Sequence, residues 1–164
     1  KNKKKKKNSY LEKEFFNRRV FKSFHCHIAI GGAKYQNIRS NIFRKYKQKG
    51  LIFPKIISNS AYLSKKSKIN EGSILMNNVF VNANTVIGKN TIINNNSLIE
   101  HDVRIENHVN IATGVIVNGN VEIGEKTFIG SGVIIKNNVK IGKNCIIQAG
   151  KVILNNIKYN TKLI

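Results

Sequence analysis

An aliphatic residue recurs at every sixth position across more than half of the chain, without a single insertion. A helix would scatter residues six apart around its axis, and one flat strand would gain nothing from that spacing. A solenoid accounts for it, because each hexapeptide can form one side of a coil and three can close a triangular turn. The sixteen positions are Leu63, Ile69, Leu75, Val81, Ile87, Ile93, Ile99, Ile105, Ile111, Val117, Ile123, Ile129, Ile135, Ile141, Ile147 and Ile153.

A second series lies four residues after the first and holds small or β-branched residues from Ser67 to Cys145. We expect the large aliphatic residues to fill the interior and the smaller ones to fit near the corners. The residue after the first series is often Gly or Asn, as at Gly88 and Gly124. These residue types tolerate left-handed backbone angles, so we expect them to turn the chain at the corners.

Together the two series predict a mainly β fold, a parallel β-helix of about five coils from residue 57 to about 158. Lys151 interrupts the second series and Ile157 resumes it. Because burying an unpaired ammonium is costly, we expect the last coil to splay so that Lys151 reaches solvent.

The composition changes before the repeats. HCHIAIGG is a short apolar run, AKYQNIRSNIFRKYKQKG has apolar residues on one helical face and ends at Gly50, and LIFPKIIS is apolar again. Strand, helix and strand in this order predict a partial α/β, Rossmann-like unit over residues 26–56. We expect it to follow a basic N-terminal arm, residues 1–25, and to precede the β-helix domain, residues 57–164.

The net charge of +21 is concentrated at the start of the chain. Residues 1–56 hold 17 Lys and Arg and 2 acids, and residues 57–164 hold 12 and 6. Two interpretations stay open: a surface for a polyanionic partner, or a solvated, lysine-rich surface. The sequence contains no recognised nucleic-acid-binding motif, so we expect no nucleic-acid partner.

The cysteines and the apolar segments of the sequence favour a cytoplasmic protein. The only cysteines, Cys26 and Cys145, form no CxxC motif, which favours reduced thiols in the cytoplasm. The basic start has no apolar signal-peptide segment after it, and no apolar run is long enough to span a membrane.

His101 and Asp102 are the candidate catalytic pair, on an outward part of the repeat. An imidazole titrates near neutrality, so His101 can act as a general base beside a carboxylate. An exposed polar pair on a scaffold is the alternative, and spacing alone does not decide between them. A solenoid metal centre needs three imidazoles, and this repeat contains only His101 and His108, so we expect no metal.

The segment IEHDVRIENHVNIATGVIVNGNVEIGEKTFIGSGVIIKNNVKIGKNCIIQAG resembles hexapeptide-repeat sugar acetyltransferases, in particular the sialic acid O-acetyltransferase and UDP-4-amino-sugar N-acetyltransferase group. IAIGGAKYQNIR resembles the nucleotide-binding unit of the same proteins, so the resemblance covers residues 26–158. It implies a left-handed coil, a homotrimer and acetyl-CoA as co-substrate. It also implies an acceptor amine or hydroxyl on an amino sugar, a sialic acid or a nucleotide-linked sugar.

The resemblance also implies roles for single residues. His101 matches the catalytic base and Asp102 its carboxylate partner. Asn110 stands where the group often has a second histidine that touches acetyl-CoA. Ser131 and Ala149 match positions that line the coenzyme channel.

Two motifs of the group are not found in this sequence. Residues 1–24 contain no Gly-Ser/Ala-Gly-His phosphate loop, and no Gly-x-Pro-Ala segment follows the repeats. Two alternatives to the acetyltransferase therefore stay open. One is a catalytically inactive trimeric β-helix that serves as an assembly module, and the other is a nucleic-acid binder that uses residues 1–56.

Overall fold

The computed structural model describes residues 24–164, in which one helix precedes a stack of short strands. A 3₁₀ turn at Ala33–Tyr35 leads into helix α1 (Gln36–Gln48). The strands of this part of the chain are β1 (Ile56–Ile57), β2 (Tyr62–Leu63), β3 (Lys68–Ile69), β4 (Ile74–Leu75), β5 (Phe80–Val81), β6 (Val86–Ile87), β7 (Ile92–Ile93), β8 (Leu98–Ile99), β9 (Arg104–Ile105), β10 (Asn110–Ile111), β11 (Ile116–Val117), β12 (Glu122–Ile123), β13 (Phe128–Ile129), β14 (Ile134–Ile135), β15 (Lys140–Ile141), β16 (Ile146–Ile147), β17 (Val152–Ile153) and β18 (Lys162–Leu163).

Three parallel sheets wind these strands into a β-helix. Sheet 1 has the order β1-β4-β7-β10-β13-β16-β18, sheet 2 the order β17-β14-β11-β8-β5-β2, and sheet 3 the order β15-β12-β9-β6-β3. Residues paired between strands from β1 to β17 are three hexapeptides apart, as in the pair Ile99 and Val117. The predicted hexapeptide β-helix is therefore confirmed, with about six turns where the sequence predicted about five.

Both repeating series lie inside the coil. The first is buried from Ile69 to Ile153 and the second from Ser73 to Cys145. From Ser73 to Thr127, the hydroxyl groups of the second series are not left unpaired, because each donates to a backbone carbonyl of the next coil. Examples are Thr85 to Glu100, at 2.6 Å, and Thr127 to Gly142, at 2.8 Å. The interior is thus one apolar column whose few polar groups are satisfied.

Left-handed residues turn the chain at the corners, as predicted, but they are not the glycines that follow the first series. Within residues 24–164, eight of the eleven non-glycine residues with positive φ are asparagines: Asn78, Asn84, Asn90, Asn96, Asn120, Asn138, Asn144 and Asn160. Gly88 and Gly124 are absent from the positive-φ glycines. A Cβ at either position would lie 2.5 Å from backbone of the next coil. Glycine is required at these two positions because the backbone of the next coil lies so close, and not because of the φ angle.

The regular six-residue spacing of the strands ends after β17. Lys151 is half-buried, so its side chain reaches solvent as expected, but its carbonyl still accepts from Ile134 N at 3.0 Å, so the coil does not splay there. Two residues are missing from the next turn, because Ile157 bridges Ile141, sixteen residues earlier. Ile157 therefore continues the first series, and its assignment to the second was wrong.

The unit before the coil keeps its predicted helix but not two regular strands. In the described residues, the flanking segments meet at a single parallel bridge, between His25 and Ile52. A small separate core holds them together: Ile28, Phe43, Leu51 and Phe53. The predicted arm, residues 1–25, lies outside the described residues apart from its last two. No helix within residues 24–164 has the length and apolar character that a membrane span needs.

Candidate active site

His101 and Asp102 lie at the corner between sheets 2 and 3, after β8 and before β9. The imidazole Nδ1 is 2.8 Å from Asp102 Oδ2, and both side chains are about half exposed, at 57 % and 50 %. Because a carboxylate only accepts hydrogen bonds, Nδ1 carries a proton and donates it. The neutral ring then has its lone pair on Nε2, which is the atom that can accept a proton from a ligand.

The Asp102 carboxylate is held in its ionised form. Its pKa lies below the ordinary value, first because His101 donates to it and next because Asn84 Nδ2 donates to Oδ1, at 3.1 Å. Asp102 is therefore charged throughout the neutral range and keeps the His101 ring in one tautomer. The pair has the geometry of a general base with its orienting carboxylate.

Gly119 lies one coil after His101 and leaves room for the ring. A Cβ at Gly119 would be 2.7 Å from His101 Cε1 and 2.8 Å from Nε2. The sequence places Gly119 eighteen residues after His101, but its importance depends on the direction of the ring, which spacing does not give. Gly119 is thus a site residue that sequence reasoning missed.

The predicted coenzyme residues lie elsewhere on the same coil. Ser131 and Ala149 are exposed and follow one another along the corner between sheets 1 and 2, on the opposite edge of sheet 2 from His101. Asn110 is on the outer face of sheet 1 and is only 5 % exposed. Its side-chain nitrogen lies against Gly31, 3.6 Å from where a Cβ of that residue would be. A single chain therefore brings together His101 and Asp102, but does not bring the other three residues to them.

His108 has a different environment from His101. It is buried at the corner between sheets 3 and 1, where Nδ1 lies 2.8 Å from Asn90 Nδ2 and the ring meets Phe43 edge-on. Burial, followed by the nearby charges of Arg39, Arg44 and Lys126, lowers its pKa to about 4. The imidazole is therefore neutral and enclosed near pH 7, so His108 is not a candidate base.

Arg39 attaches α1 to this corner. Its guanidinium is 1 % exposed and donates to the carbonyls of Asn90 (2.7 Å), His108 (2.7 Å) and Val109 (3.1 Å). Burial lowers its pKa to about 10, so it still carries its charge at neutral pH. The five donors of a guanidinium suit this task, because one side chain satisfies carbonyl groups from two successive coils. A residue that bonds partners 51 to 70 positions away leaves no local sequence signal.

Replacing Arg39 with Met should loosen the attachment of α1 by about 2 kcal/mol, because buried carbonyls lose their donors while the apolar stem is kept. Hydrogen exchange measures this: the amides of α1 should exchange faster while those of β11 to β16 stay protected. Arg39→Lys, with one compact ammonium, should give an intermediate result. Unchanged protection of α1 in Arg39→Met would show that the apolar contacts alone hold the helix.

The outer face of sheet 2 carries an uninterrupted apolar column between the two candidate corners. Tyr62 and Phe80 stack with ring centroids 4.5 Å apart. The column is Tyr62, Phe80, Leu98, Ile116, Ile134 and Val152, of which four are exposed and two half-buried. The corresponding column of sheet 3 is mostly charged: Lys68, Val86, Arg104, Glu122 and Lys140. A contiguous exposed apolar face of this kind marks an interaction surface.

The repeats of this chain match a known family model. Residues 84–119 and 120–155 match the family model of the bacterial transferase hexapeptide, described as six repeats. No curated protein sequence matches the chain. Within residues 24–164, no three His, Cys, Asp or Glu side chains form a group that could hold a metal ion.

Three solved structures are similar to the chain. The structure of a histidine-to-asparagine variant of perosamine N-acetyltransferase from Caulobacter crescentus, in complex with CoA and GDP-perosamine, is 28 % identical with a TM-score of 0.80. The acetyltransferase domain of PglB from Neisseria gonorrhoeae, in complex with acetyl coenzyme A, is 28 % identical with a TM-score of 0.81. WeeI from Acinetobacter baumannii is 26 % identical with a TM-score of 0.77.

These similarities extend over most of this chain but only part of the relatives. They cover 83 %, 85 % and 84 % of this chain, and 63 %, 66 % and 67 % of the perosamine, PglB and WeeI chains. The chain thus spans less than two thirds of the length of the perosamine N-acetyltransferase. Residues 84–155 match the repeats of the bacterial transferase hexapeptide model, and the predicted resemblance to hexapeptide-repeat sugar acetyltransferases is confirmed.

Proposed function

We propose that this chain transfers an acetyl group from acetyl-CoA to an amine or hydroxyl of a sugar, with His101 as the general base. The observation that carries the proposal is the 2.8 Å contact between His101 Nδ1 and Asp102, which leaves Nε2 as the proton acceptor on an exposed corner. Two of the similar structures contain CoA or acetyl coenzyme A, and one of these also contains a nucleotide-linked sugar. Their ligands support this co-substrate and a nucleotide-linked amino sugar as acceptor.

The reaction follows from the position of the proton. His101 Nε2 takes a proton from the acceptor while the acceptor nitrogen or oxygen attacks the thioester carbonyl. Asp102 stabilises the imidazolium that forms. The tetrahedral oxyanion is stabilised by backbone N–H donors, and its collapse expels the CoA thiolate, which recovers the proton from His101. No acetyl-enzyme forms, so the buried thiol of Cys145 has no role in the chemistry.

We propose that the complete site forms between copies of this chain in a homotrimer. The apolar face of sheet 2 is the surface that another copy covers, and its two edges are the corner of His101 and the corner of Ser131 and Ala149. Packing three such faces around one axis brings the first corner of one copy to the second corner of the next. Asn110, Ser131 and Ala149 are the proposed coenzyme contacts, and Asn110 offers the least exposed surface of the three.

The experiment is thiol release from acetyl-CoA in the presence of GDP- and UDP-linked amino sugars and free sialic acids. The wild-type protein should release CoA only with an acceptor present, and light scattering should give the mass of a trimer. Binding of CoA without release, for every acceptor tested, would favour the inactive assembly module. Binding of arbitrary DNA that weakens steeply with salt would favour the nucleic-acid binder.

A pair of variants tests the need for assembly. Ile116→Lys places a charge in the apolar column of sheet 2 and should give monomers that do not release CoA. Val86→Lys is the matched control, because Val86 is also half-buried and outward-facing but lies on sheet 3. It should keep both the trimer and the activity. A fully active monomer of Ile116→Lys would contradict a site shared between copies.

A further inference from the structure

We infer that Asn84 and Gly119 are positioning residues for His101 and Asp102, an inference that rests on the proposed function. Asn84 lies one coil before Asp102 and Gly119 one coil after His101, on the same corner. Neither residue takes part in the chemistry. Asn84 fixes the carboxylate, and Gly119 gives the imidazole the space in which it can meet that carboxylate.

Asn84 acts through the second oxygen of Asp102. Its amide Nδ2 donates to Oδ1 at 3.1 Å, while Oδ2 accepts from His101 Nδ1 at 2.8 Å. With one donor on each oxygen, the carboxylate cannot rotate without losing a bond. Asn84 and Asp102 have the same left-handed backbone, with φ of 60° each, so the corner holds the two side chains in parallel.

The same corner contains a second bond of the type formed by Asn84 and Asp102, at a position without a histidine. One coil further on, Asn120 Nδ2 donates to Asn138 Oδ1 at 2.8 Å, a ladder bond between left-handed residues eighteen apart. The pair Asn84 and Asp102 is the same ladder with its acceptor changed from an amide to a carboxylate. That change keeps the bond from Asn84 and adds a charged oxygen for His101.

Gly119 acts by absence of a side chain. The edge of the imidazole that carries Nδ1, Cε1 and Nε2 lies 3.3, 2.7 and 2.8 Å from the place of a Cβ at Gly119. The two distances below 3.0 Å are shorter than a Cβ tolerates, so a methyl group there must displace the ring. Because Nδ1 belongs to that edge, the displacement breaks the bond to Asp102. Gly119 is therefore required by the ring and not by a turn, since it is not among the glycines with positive φ.

The test compares Asn84→Ala with Asn120→Ala. The two asparagines have nearly equal φ, 60° and 57°, and both are exposed, so the two variants have matched backbone strain and each loses one ladder bond. Asn84→Ala should raise the pKa of Asp102, measured by NMR of its carboxyl carbon, and lower kcat about tenfold with little change in KM, since misalignment affects the transition state. Asn120→Ala should change neither.

Gly119→Ala extends the same measurement to the ring. It should raise the pKa of Asp102 further than Asn84→Ala does, because the bond from His101 is the largest cause of its low value. An unchanged Asp102 titration in both variants, or an equal shift in Asn120→Ala, would overturn the positioning role. If Asp102 responds as expected but even the wild-type protein transfers no acetyl group, the proposed function fails and the arrangement of the pair stands.

Discussion

Replacing His101 with Ala should lower acetyl transfer by roughly 10²- to 10⁴-fold, the usual contribution of a positioned general base. The thermal midpoint should hardly move, because the side chain is more than half exposed and packs against little. Thiol release from acetyl-CoA, with the acceptor found for the wild-type protein, measures the rate. Asp102→Asn should lower the rate less, since Asn also tolerates left-handed backbone and the imidazole itself remains.

His108→Ala is the matched control, because it removes an imidazole from the neighbouring corner of the same repeat. His108 is buried against Phe43 and bonded to Asn90, so its loss should lower the thermal midpoint while the rate stays within a few-fold. The two variants thus predict opposite outcomes: activity lost with stability kept, and stability lost with activity kept. Equal turnover by His101→Ala and the wild-type protein would mean that the His101–Asp102 pair is scaffold.

The sequence favoured His101 through its neighbour Asp102 and the resemblance, but the six-residue spacing alone did not show that His108 is buried and His101 exposed. Both histidines belong to hexapeptide repeats, and both lie at corners between two sheets. The difference comes from α1, which packs over the corner of His108 and leaves that of His101 open. The position of α1 depends on Arg39, whose carbonyl partners are far away along the chain. No periodicity encodes a contact of that range, so Arg39 was not among the predicted residues.

The interior of the coil, by contrast, was predictable almost residue by residue. A parallel coil repeats its environment at every hexapeptide, so each position in the count experiences the same packing requirement. The outer column of sheet 2 carries its own eighteen-residue signal, from Tyr62 to Val152, which the six-residue count does not single out. The six-residue spacing also assigned Ile157 to the wrong series. An aliphatic residue suits either series, and the sequence gives no sign that the last turn is two residues shorter than the others.

A glycine directly after the first series was expected to turn the chain. In the structure, it instead leaves room for the backbone of the next coil, so its substitution should strongly lower stability. Gly124→Ala should lower stability by about 3 kcal/mol or more, roughly 10 °C in the thermal midpoint. A Cβ at Gly124 would lie 2.5 Å from Lys143 N and 2.6 Å from Gly142 C. Both are backbone atoms of the next coil, which can move only by disturbing the pairing of β12 with β15.

Gly114→Asn is the control that separates close approach from backbone strain. Gly114 has φ of 68° and no atom within 4 Å of its would-be Cβ, and asparagine adopts this conformation at eight other corners. That substitution should therefore be almost neutral, although it adds more atoms than Gly124→Ala does. The midpoints should be compared at one protein concentration, because assembly stabilises the folded state by mass action. If the two variants lost equal stability, the corners would be limited by left-handed backbone and not by the distance between coils.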